Sequence, residues 1–172
     1  MKIIIEGIDR LGKGTLINNI LKNYGAFPII HSSSPPKGIE NPGEYQREYF
    51  YNCFNILNDR DCSVIFDRCH LGEYIYGPLY RKTDPNFIFD IEKQFGNACE
   101  YTRLILLYTD DFSIMKDDGL SFDFSAREME QRLFFEAFAK SNIMKKKLLR
   151  VDEKRTYRNE FDIFNELKQW IE

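Results

Sequence analysis

The sequence predicts an α/β domain of three layers, with helices on both faces of a five-stranded, mainly parallel sheet. About five short apolar runs alternate along the chain with longer segments whose apolar residues recur at helical spacing. The apolar runs are continuous, as in Leu104–Tyr108, and this pattern favours parallel strands covered on both sides. Because 172 residues suffice for one domain with a sizeable core, we expect a single domain over residues 1–172.

The first strand, Lys2–Ile5, leads into a glycine-bounded turn and then a helix. Gly7 and Gly12 allow backbone conformations that turn consecutive N–H groups inward, and a helix N-terminus attracts anions. Lys13 then supplies a cation for the outer phosphates of a nucleotide. This order predicts a phosphate-binding loop (P-loop) before a helix with an apolar face of Leu16, Ile17, Ile20, Leu21 and Tyr24.

The turn departs from the pattern GxxxxGK followed by Ser or Thr at one position. Gly14 occupies the place of the hydroxyl residue, and Thr15 follows one residue later. We therefore expect Mg²⁺ to be positioned by Thr15 and ordered water. The residues expected to bind the ATP phosphates are Gly7, Arg10, Gly12, Lys13, Gly14 and Thr15.

A second short strand, Phe27–His31, is followed by a proline-containing loop, Ser32–Gly38. This loop follows the carboxyl end of a strand, the edge where ligands bind in doubly wound sheets. His31 is interpreted as a structural residue rather than a base.

Pro42–Asp61 is predicted to be a long helix. Most of the rings on its apolar face are expected to be core, but one or two, such as Tyr49 and Phe50, could instead stack on a base.

The third strand, Cys62–Phe66, places Asp67 and Arg68 at its carboxyl end. A carboxylate at this position in a P-loop protein supports the magnesium shell, and an adjacent arginine can bind a phosphate through two hydrogen bonds. The alternative is a surface ion pair in a strand-to-helix turn, which the nearby phosphate loop makes less attractive. The next predicted helix, 70–82, carries Glu73, Tyr76, Tyr80 and Arg81.

The rest of the chain completes the alternation. A polar segment over about 110–124, with Lys116 its only cation, is expected to act as a lid that excludes water. Lys145–Lys147 is interpreted as a solvated cap on a helix end. The other predicted elements are a helix over 86–95 ended by Gly96-Asn97, strand Leu104–Tyr108, a helix over 126–141, strand Leu148–Val151 and a closing helix through 161–171.

Composition narrows the range of partners. The net charge of -3 gives no broad basic field, so a nucleic-acid polymer is not expected as a partner. The 4 cysteines form no CxxC pair, which argues against metal-site and disulfide frameworks and favours a reducing cytoplasm. No signal peptide precedes the first strand and no run approaches the ~20 apolar residues of a membrane span, so no membrane partner is expected.

These residues indicate binding of a nucleoside triphosphate and, from that, phosphoryl transfer. Catalysis of this reaction consists of positioning the partners and neutralising charge, and four cations are available in Arg10, Lys13, Arg68 and Arg81. An acceptor that already carries a phosphate brings an anionic nucleophile, so the site would need arginine more than a general base.

The segment Glu6–Thr15, with Asp67-Arg68 and Tyr76, resembles thymidylate kinases among the P-loop nucleoside monophosphate kinases. The glycine after the lysine is similar instead to the adenylate kinase form of the loop. The resemblance is strong over residues 1–24, fair over 60–82 and only topological beyond. It also implies a homodimer through the helices that flank the third strand.

The resemblance implies roles for particular residues. Asp9 would help to hold the deoxyribose and an acceptor-site arginine, and Arg10 would reach the donor phosphates. Asp67 and Arg68 would place the acceptor phosphate. A tyrosine at the position of Tyr76 packs against C2′ of the sugar and disfavours ribonucleotides, which implies a deoxynucleotide acceptor.

The departures from the family lie on the side of the acceptor base. The Arg-Glu-Pro segment after the second strand is replaced by Ser32–Pro36, and the arginine that reads the base in the following helix is not evident. A Ser-Ser pair is replaced by Gly72-Glu73, and Glu73 could favour a base with an exocyclic amine. The compact size and these departures suggest a phage-encoded relative.

The sequence therefore predicts a cytoplasmic enzyme that transfers the γ-phosphate of ATP, with Mg²⁺, to a deoxynucleoside monophosphate, most directly dTMP. Two alternatives remain open. A deoxynucleoside kinase would need a carboxylate base at the end of the second strand, where this chain has His31. A non-catalytic ATP-binding regulator is the other; a GTPase is disfavoured because no Asn-Lys-x-Asp motif occurs.

The residues expected to be catalytic are Asp9, Arg10, Lys13 and Arg68. Those expected to bind the acceptor are Asp9, Tyr49, Phe50, Arg68, Glu73, Tyr76 and Arg81. Those expected to position the metal are Thr15 and Asp67.

Overall fold

The computed structural model describes residues 1–115, 124–151 and 168 of the chain. Strands and helices alternate through most of this range, as the apolar pattern predicts. In chain order the elements are β1 (Lys2–Glu6), α1 (Lys13–Tyr24), β2 (Ile29–His31), α2 (Pro42–Asn58), β3 (Val64–Asp67), α3 (Leu71–Tyr76), α4 (Phe87–Gln94), α5 (Gly96–Tyr101), β4 (Arg103–Tyr108), α6 (Phe124–Lys140) and β5 (Lys145–Arg150).

All five strands form one parallel sheet with the order β2-β3-β1-β4-β5. β1 lies at the centre, and each of its residues is buried, because it has a strand on either side and helices over both faces. The register sets Ile5 beside Asp67 of β3 and Ile105 of β4. The carboxyl ends of β1 and β3 therefore meet at the same edge of the sheet. The α/β fold with a parallel five-stranded sheet is confirmed.

The start of β5 differs from the sequence prediction. The strand begins at Lys145 rather than at Leu148, so the residues 145–147, interpreted as a solvated cap on a helix end, belong to the strand. β5 is the edge strand, where lysine side chains can reach water. The charged residues at its start therefore lack the apolar pattern by which a strand is predicted. The Nζ of Lys146 nevertheless donates to the carbonyl oxygens of Phe138 at 2.8 Å and Ser141 at 2.9 Å, and so it does cap the end of α6.

The predicted helix over residues 70–82 consists of two pieces. α3 ends at Tyr76, and a wider π-helical turn continues through Gly77–Arg81. A Cβ on Gly77 would lie 2.6 Å from Oε1 of Glu73, so the turn packs closely on that side chain. The predicted helix over 86–95 does end before Gly96, since α4 stops at Gln94, but Gly96 also begins α5, which the sequence pattern did not predict.

The predicted lid, about 110–124, and the closing helix through 161–171 lie largely or wholly outside the described residues. The described part of the lid contains a 3-10 turn, Phe112–Ile114, capped by the side chain of Asp111. Among the described helices, none is long and apolar enough to cross a membrane.

Candidate active site

The turn after β1 has glycines where the backbone requires them. Gly7 has φ 135°, and a Cβ there would lie 2.6 Å from the carbonyl oxygen of Leu107 in β4. Gly12 has φ 87° and directly precedes α1. Side chains are disfavoured at both values, which explains the glycines. The turn thus packs against β4 and ends at a helix N-terminus, where backbone dipoles attract an anion.

Lys13 is the first residue of α1, and its side chain lies against the turn. Its Nζ donates to the carbonyl oxygens of Gly7 at 2.7 Å and Ile8 at 2.8 Å, and it lies 3.8 Å from Oδ1 of Asp9. Burial, together with the charge of Arg68, lowers the pKa of Lys13 to about 8. A cation of weakened basicity is therefore held at the predicted phosphate site.

Arg68 reaches from the end of β3 to the same turn. Its N–H donates to the carbonyl oxygen of Ile5 at 2.9 Å, and its backbone has φ 65°, which is uncommon for a non-glycine residue. Its Nη2 donates to Oδ1 of Asp9, which is 59 residues away in the chain. Burial opposes ionisation of Asp9, but the charges of Arg68, Lys13 and Arg127 and the hydrogen bond from Arg68 together outweigh it, so the pKa of Asp9 is lowered.

His31 connects the end of β2 to this pair. Its Nδ1 lies 3.0 Å from Oδ2 of Asp67, and its Nε2 lies 3.2 Å from Nη1 of Arg68. A guanidinium can only donate, so the contacts assign the ring proton to Nδ1, which donates to Asp67. Both ring nitrogens are thus partnered, but the side chain is 54% exposed and lines the cavity described next, so the interpretation of His31 as a structural residue stays a prediction.

A cavity of about 490 Å³ lies beside Arg68. Its size is in the range of small-molecule sites. Tyr49, one of the residues expected to bind an acceptor, lies behind the wall, with its hydroxyl 3.0 Å from Oγ of the lining residue Ser32. The cavity is lined by the others, which are Asp9, Phe50, Arg68, Glu73, Tyr76 and Arg81.

Glu73 lines this cavity, but its carboxylate is held by neighbouring residues. Arg81 donates to Oε2, and the hydroxyl of Thr83 donates to Oε1 at 3.2 Å. The side chain is only 1% exposed. Burial raises the pKa of Glu73, with Arg81 opposing that rise. Glu73 therefore fixes the turn after α3, and its oxygens are less available to an exocyclic amine than the sequence suggests.

Among the lining residues that sequence reasoning did not select, three carry an amide or a charged side chain: Gln46, Arg127 and Glu130. Gln46 is 3% exposed, and its Oε1 is buried without a hydrogen-bond partner among the described residues. Arg127 donates to the backbone oxygen of Asp9 at 3.3 Å. The signal for Gln46 was its position one helical turn before Phe50; Arg127 follows the predicted lid, but nothing in its local sequence marks it.

The residues expected to hold Mg²⁺ lie at the same edge of the sheet. Thr15 is exposed in the first turn of α1, and Gly14 beside it is exposed as well. Oδ1 of Asp67 is buried and has no hydrogen-bond partner in the described part of the chain, while Oδ2 lies 3.0 Å from Nδ1 of His31. Arg10, with φ 68°, is half-buried in the turn.

Comparison with known proteins identifies the fold. No family model matches the chain, and no curated protein matches it. Among solved structures, the YorR protein from Bacillus subtilis in complex with phosphorylated GDP has a TM-score of 0.69 and 20% identity, over 99% of this chain and 95% of that one. Thymidylate kinase from Ehrlichia chaffeensis has a TM-score of 0.56 and 17% identity, over 100% of this chain and 98% of that one.

Deoxyadenosine kinase from M. mycoides with bound dATP has a TM-score of 0.55 and 19% identity, over 98% of this chain and all of that one. The chain has the P-loop kinase fold. The turn after β1, which the sequence predicts to be the P-loop, lies next to the cavity beside Arg68. Asp9 belongs to both, because it follows Gly7 in the turn and also lines the cavity.

Proposed function

We propose that this protein transfers the γ-phosphate of ATP to a deoxynucleoside monophosphate, with dTMP as the acceptor. The observation that carries the proposal is the pairing of Arg68 with Asp9, which joins a P-loop to a cavity of nucleotide size. A donor phosphate on the loop and an acceptor phosphate on Arg68 would then lie next to each other. Such proximity is the main requirement of phosphoryl transfer.

The charges at this end of the cavity suit an acceptor that already carries a phosphate. Arg68 and Arg127 both line the cavity and both contact Asp9. An oxygen of the acceptor phosphate would attack the γ-phosphorus, and the bond to the bridging oxygen of the β-phosphate would break to leave ADP. Because that nucleophile is already anionic, the arginines would orient it without a general base.

On the donor side, Lys13 would neutralise charge that develops on the transferring phosphoryl group. Thr15, and Asp67 through water, would hold Mg²⁺, which when bound would supply further positive charge against the phosphates. Tyr76 would pack against C2′ of the acceptor sugar and so favour deoxynucleotides.

The titration of Lys13 gives a first prediction. We expect kcat/KM for ATP to fall as the pH rises through about 8, because the lysine then loses the charge that binds phosphate. The profile in the Lys13→Arg variant, whose guanidinium stays charged, should lack this fall. A wild-type profile that stays flat up to the ordinary lysine range would contradict the assignment.

Gln46 is the residue we expect to contact the base. It lies on α2 one turn before Phe50, so the cavity offers an apolar ring and an amide together. The amide can accept from N3–H of thymine through Oε1 and donate to a neighbouring carbonyl oxygen. We expect Gln46→Leu to raise KM for the acceptor about 10-fold with little change in KM for ATP.

Thermal unfolding separates this role from a structural one. Gln46→Leu removes a buried acceptor that has no partner within the described chain, so its Tm should stay level or rise. The control is Gln131→Leu, because Gln131 exchanges two hydrogen bonds with the backbone of Thr109 and its loss should lower stability by about 1–3 kcal/mol. A fall in Tm without a change in acceptor KM would contradict base contact by Gln46.

A coupled assay of ADP release across all deoxy- and ribonucleoside monophosphates tests the proposed function. We expect turnover with dTMP and weaker turnover with ribonucleotides. Unphosphorylated nucleosides belong in the same assay, since their phosphorylation would favour a nucleoside kinase instead. ATP binding without transfer to any acceptor would favour a regulator and overturn the proposal.

A further inference from the structure

Glu6 is a buried carboxylic residue for which the proposed reaction has no role. It is the last residue of β1, it directly precedes Gly7, and it is 0% exposed. Burying a carboxylic group is costly unless hydrogen bonds compensate, so its contacts need a reason. Burial raises the pKa of Glu6, with the charges of His70 and Lys13 opposing the rise.

The contacts of Glu6 all point to one turn. Its Oε1 accepts from the backbone N–H of Cys69 at 3.0 Å and of Leu71 at 3.1 Å. These residues follow Arg68 and begin α3. The other oxygen, Oε2, has no hydrogen-bond partner in the described chain. Both hydrogen bonds between Glu6 and this turn are therefore made by Oε1.

α3 depends on this connection because it has no cap of its own. The first N–H groups of a helix need acceptors from outside the helix. The residue at the cap position, His70, makes no side-chain bond to them, and its ring instead lies 2.7 Å from Glu92. Glu6, which is 65 residues from Leu71 in the chain, supplies the missing acceptor.

The same bonds bear on the conformation of Arg68. Its φ of 65° is unfavourable for a residue with a side chain, and it persists only where neighbouring contacts impose it. Arg68 N–H is bonded to Ile5, and the N–H groups of Cys69 and Leu71, the first and third residues after Arg68, are bonded to Glu6. The turn is thus hydrogen-bonded to β1 at Arg68 itself and at two residues on the carboxyl side of Arg68.

We propose that Glu6 is a positioning residue for the acceptor, which holds Arg68 and α3 against the strand that leads into the P-loop. The expected loss of dTMP affinity rests on the proposed function, whereas the contacts of Glu6 do not. Glu6 does not itself line the cavity, but it accepts a hydrogen bond from the backbone N–H of Cys69, which does. It acts through Arg68 and through α3, which carries the lining residues Glu73 and Tyr76.

The test compares Glu6→Asp with Glu6→Gln. Aspartate withdraws the oxygens by about 1.5 Å, one carbon–carbon bond, and so breaks both bonds while it keeps the acid. Glutamine keeps the length and an acceptor oxygen. We expect Glu6→Asp to weaken dTMP binding about 10-fold or more and to leave the ATP dissociation constant within about 2-fold, while Glu6→Gln stays close to wild type.

Amide hydrogen exchange supplies a readout that does not depend on activity. The amides of Cys69 and Leu71 should exchange faster in Glu6→Asp and at the wild-type rate in Glu6→Gln. Unchanged exchange in Glu6→Asp, or equal losses of ATP and dTMP affinity, would overturn the proposal. Should wild-type protein bind dTMP but transfer no phosphate, the proposed function fails while this inference is still decided by binding and exchange. Without dTMP binding, exchange alone decides it.

A second variant guards against misfolding. Glu6→Met keeps the length of the side chain but offers no oxygen, and we expect the same selective loss of dTMP binding. If neither Glu6→Asp nor Glu6→Met folds while Glu6→Gln does, Glu6 supports the whole chain and selective positioning is refuted.

Discussion

Replacing Arg68 with alanine should lower kcat for phosphoryl transfer by about 100-fold or more, while ATP binding stays largely intact. The physical reason is its place in the site. Arg68 lines the cavity and pairs with Asp9, whereas Lys13 is the cation held inside the turn by carbonyl oxygens. Loss of the guanidinium leaves an acceptor phosphate without its partner but leaves the P-loop backbone in place. Coupled ADP release and direct ATP titration measure the two effects.

Arg60→Ala is the matched control for this prediction. Arg60 is exposed between α2 and β3, remote from the cavity lining, and its removal changes the net charge equally. We expect turnover and ATP affinity of this variant to match those of wild type. If Arg68→Ala weakens ATP binding as much as it slows turnover, Arg68 is not an acceptor residue.

Replacing Gly7 with alanine should disable the P-loop. The new Cβ would lie 2.6 Å from the carbonyl oxygen of Leu107, and alanine is strained at a φ of 135°. The two effects together should cost about 2–4 kcal/mol of stability and push the turn away from β4. We expect a fall in Tm of about 4–16 °C and loss of measurable ATP binding, as measured by thermal unfolding and titration.

Gly96→Ala provides the contrast within the same chain. Gly96 begins α5, its φ is outside the left-handed region, and nothing lies within 4 Å of an added Cβ. Alanine there should leave ATP binding unchanged and hold or raise Tm, because alanine favours helix more than glycine does. Equal effects of the two substitutions would show that close packing on β4 does not set the conformation of the P-loop.

Local sequence patterns were sufficient for much of this protein. The continuous apolar runs predict a parallel sheet, and the strand-glycine-helix order places the turn and Lys13 correctly at the start of α1. Asp67 and Arg68 could be selected because they end an apolar strand, and parallel strands end at one edge of a sheet. Each of these signals lies within a few residues of chain.

The boundaries that failed were those where tertiary context overrides local pattern. β5 begins in a run of lysines because an edge strand exposes them, and the helix after Arg68 continues from Gly77 as a wider turn that packs on Glu73. Neither feature can be predicted from charge or helical spacing alone.

The sequence by itself therefore determined the sheet, the glycine-bounded turn before α1 and the position of Asp67 and Arg68 at the carboxyl end of β3. Only the tertiary structure decided which side chains surround the cavity: it brought Gln46 from α2 and Arg127 from α6 to the wall, turned Glu73 towards Arg81, and set Glu6 on the start of α3. The physical reason is that these contacts join elements far apart in the chain. Strand order and helix packing, rather than any local pattern, fix their distances.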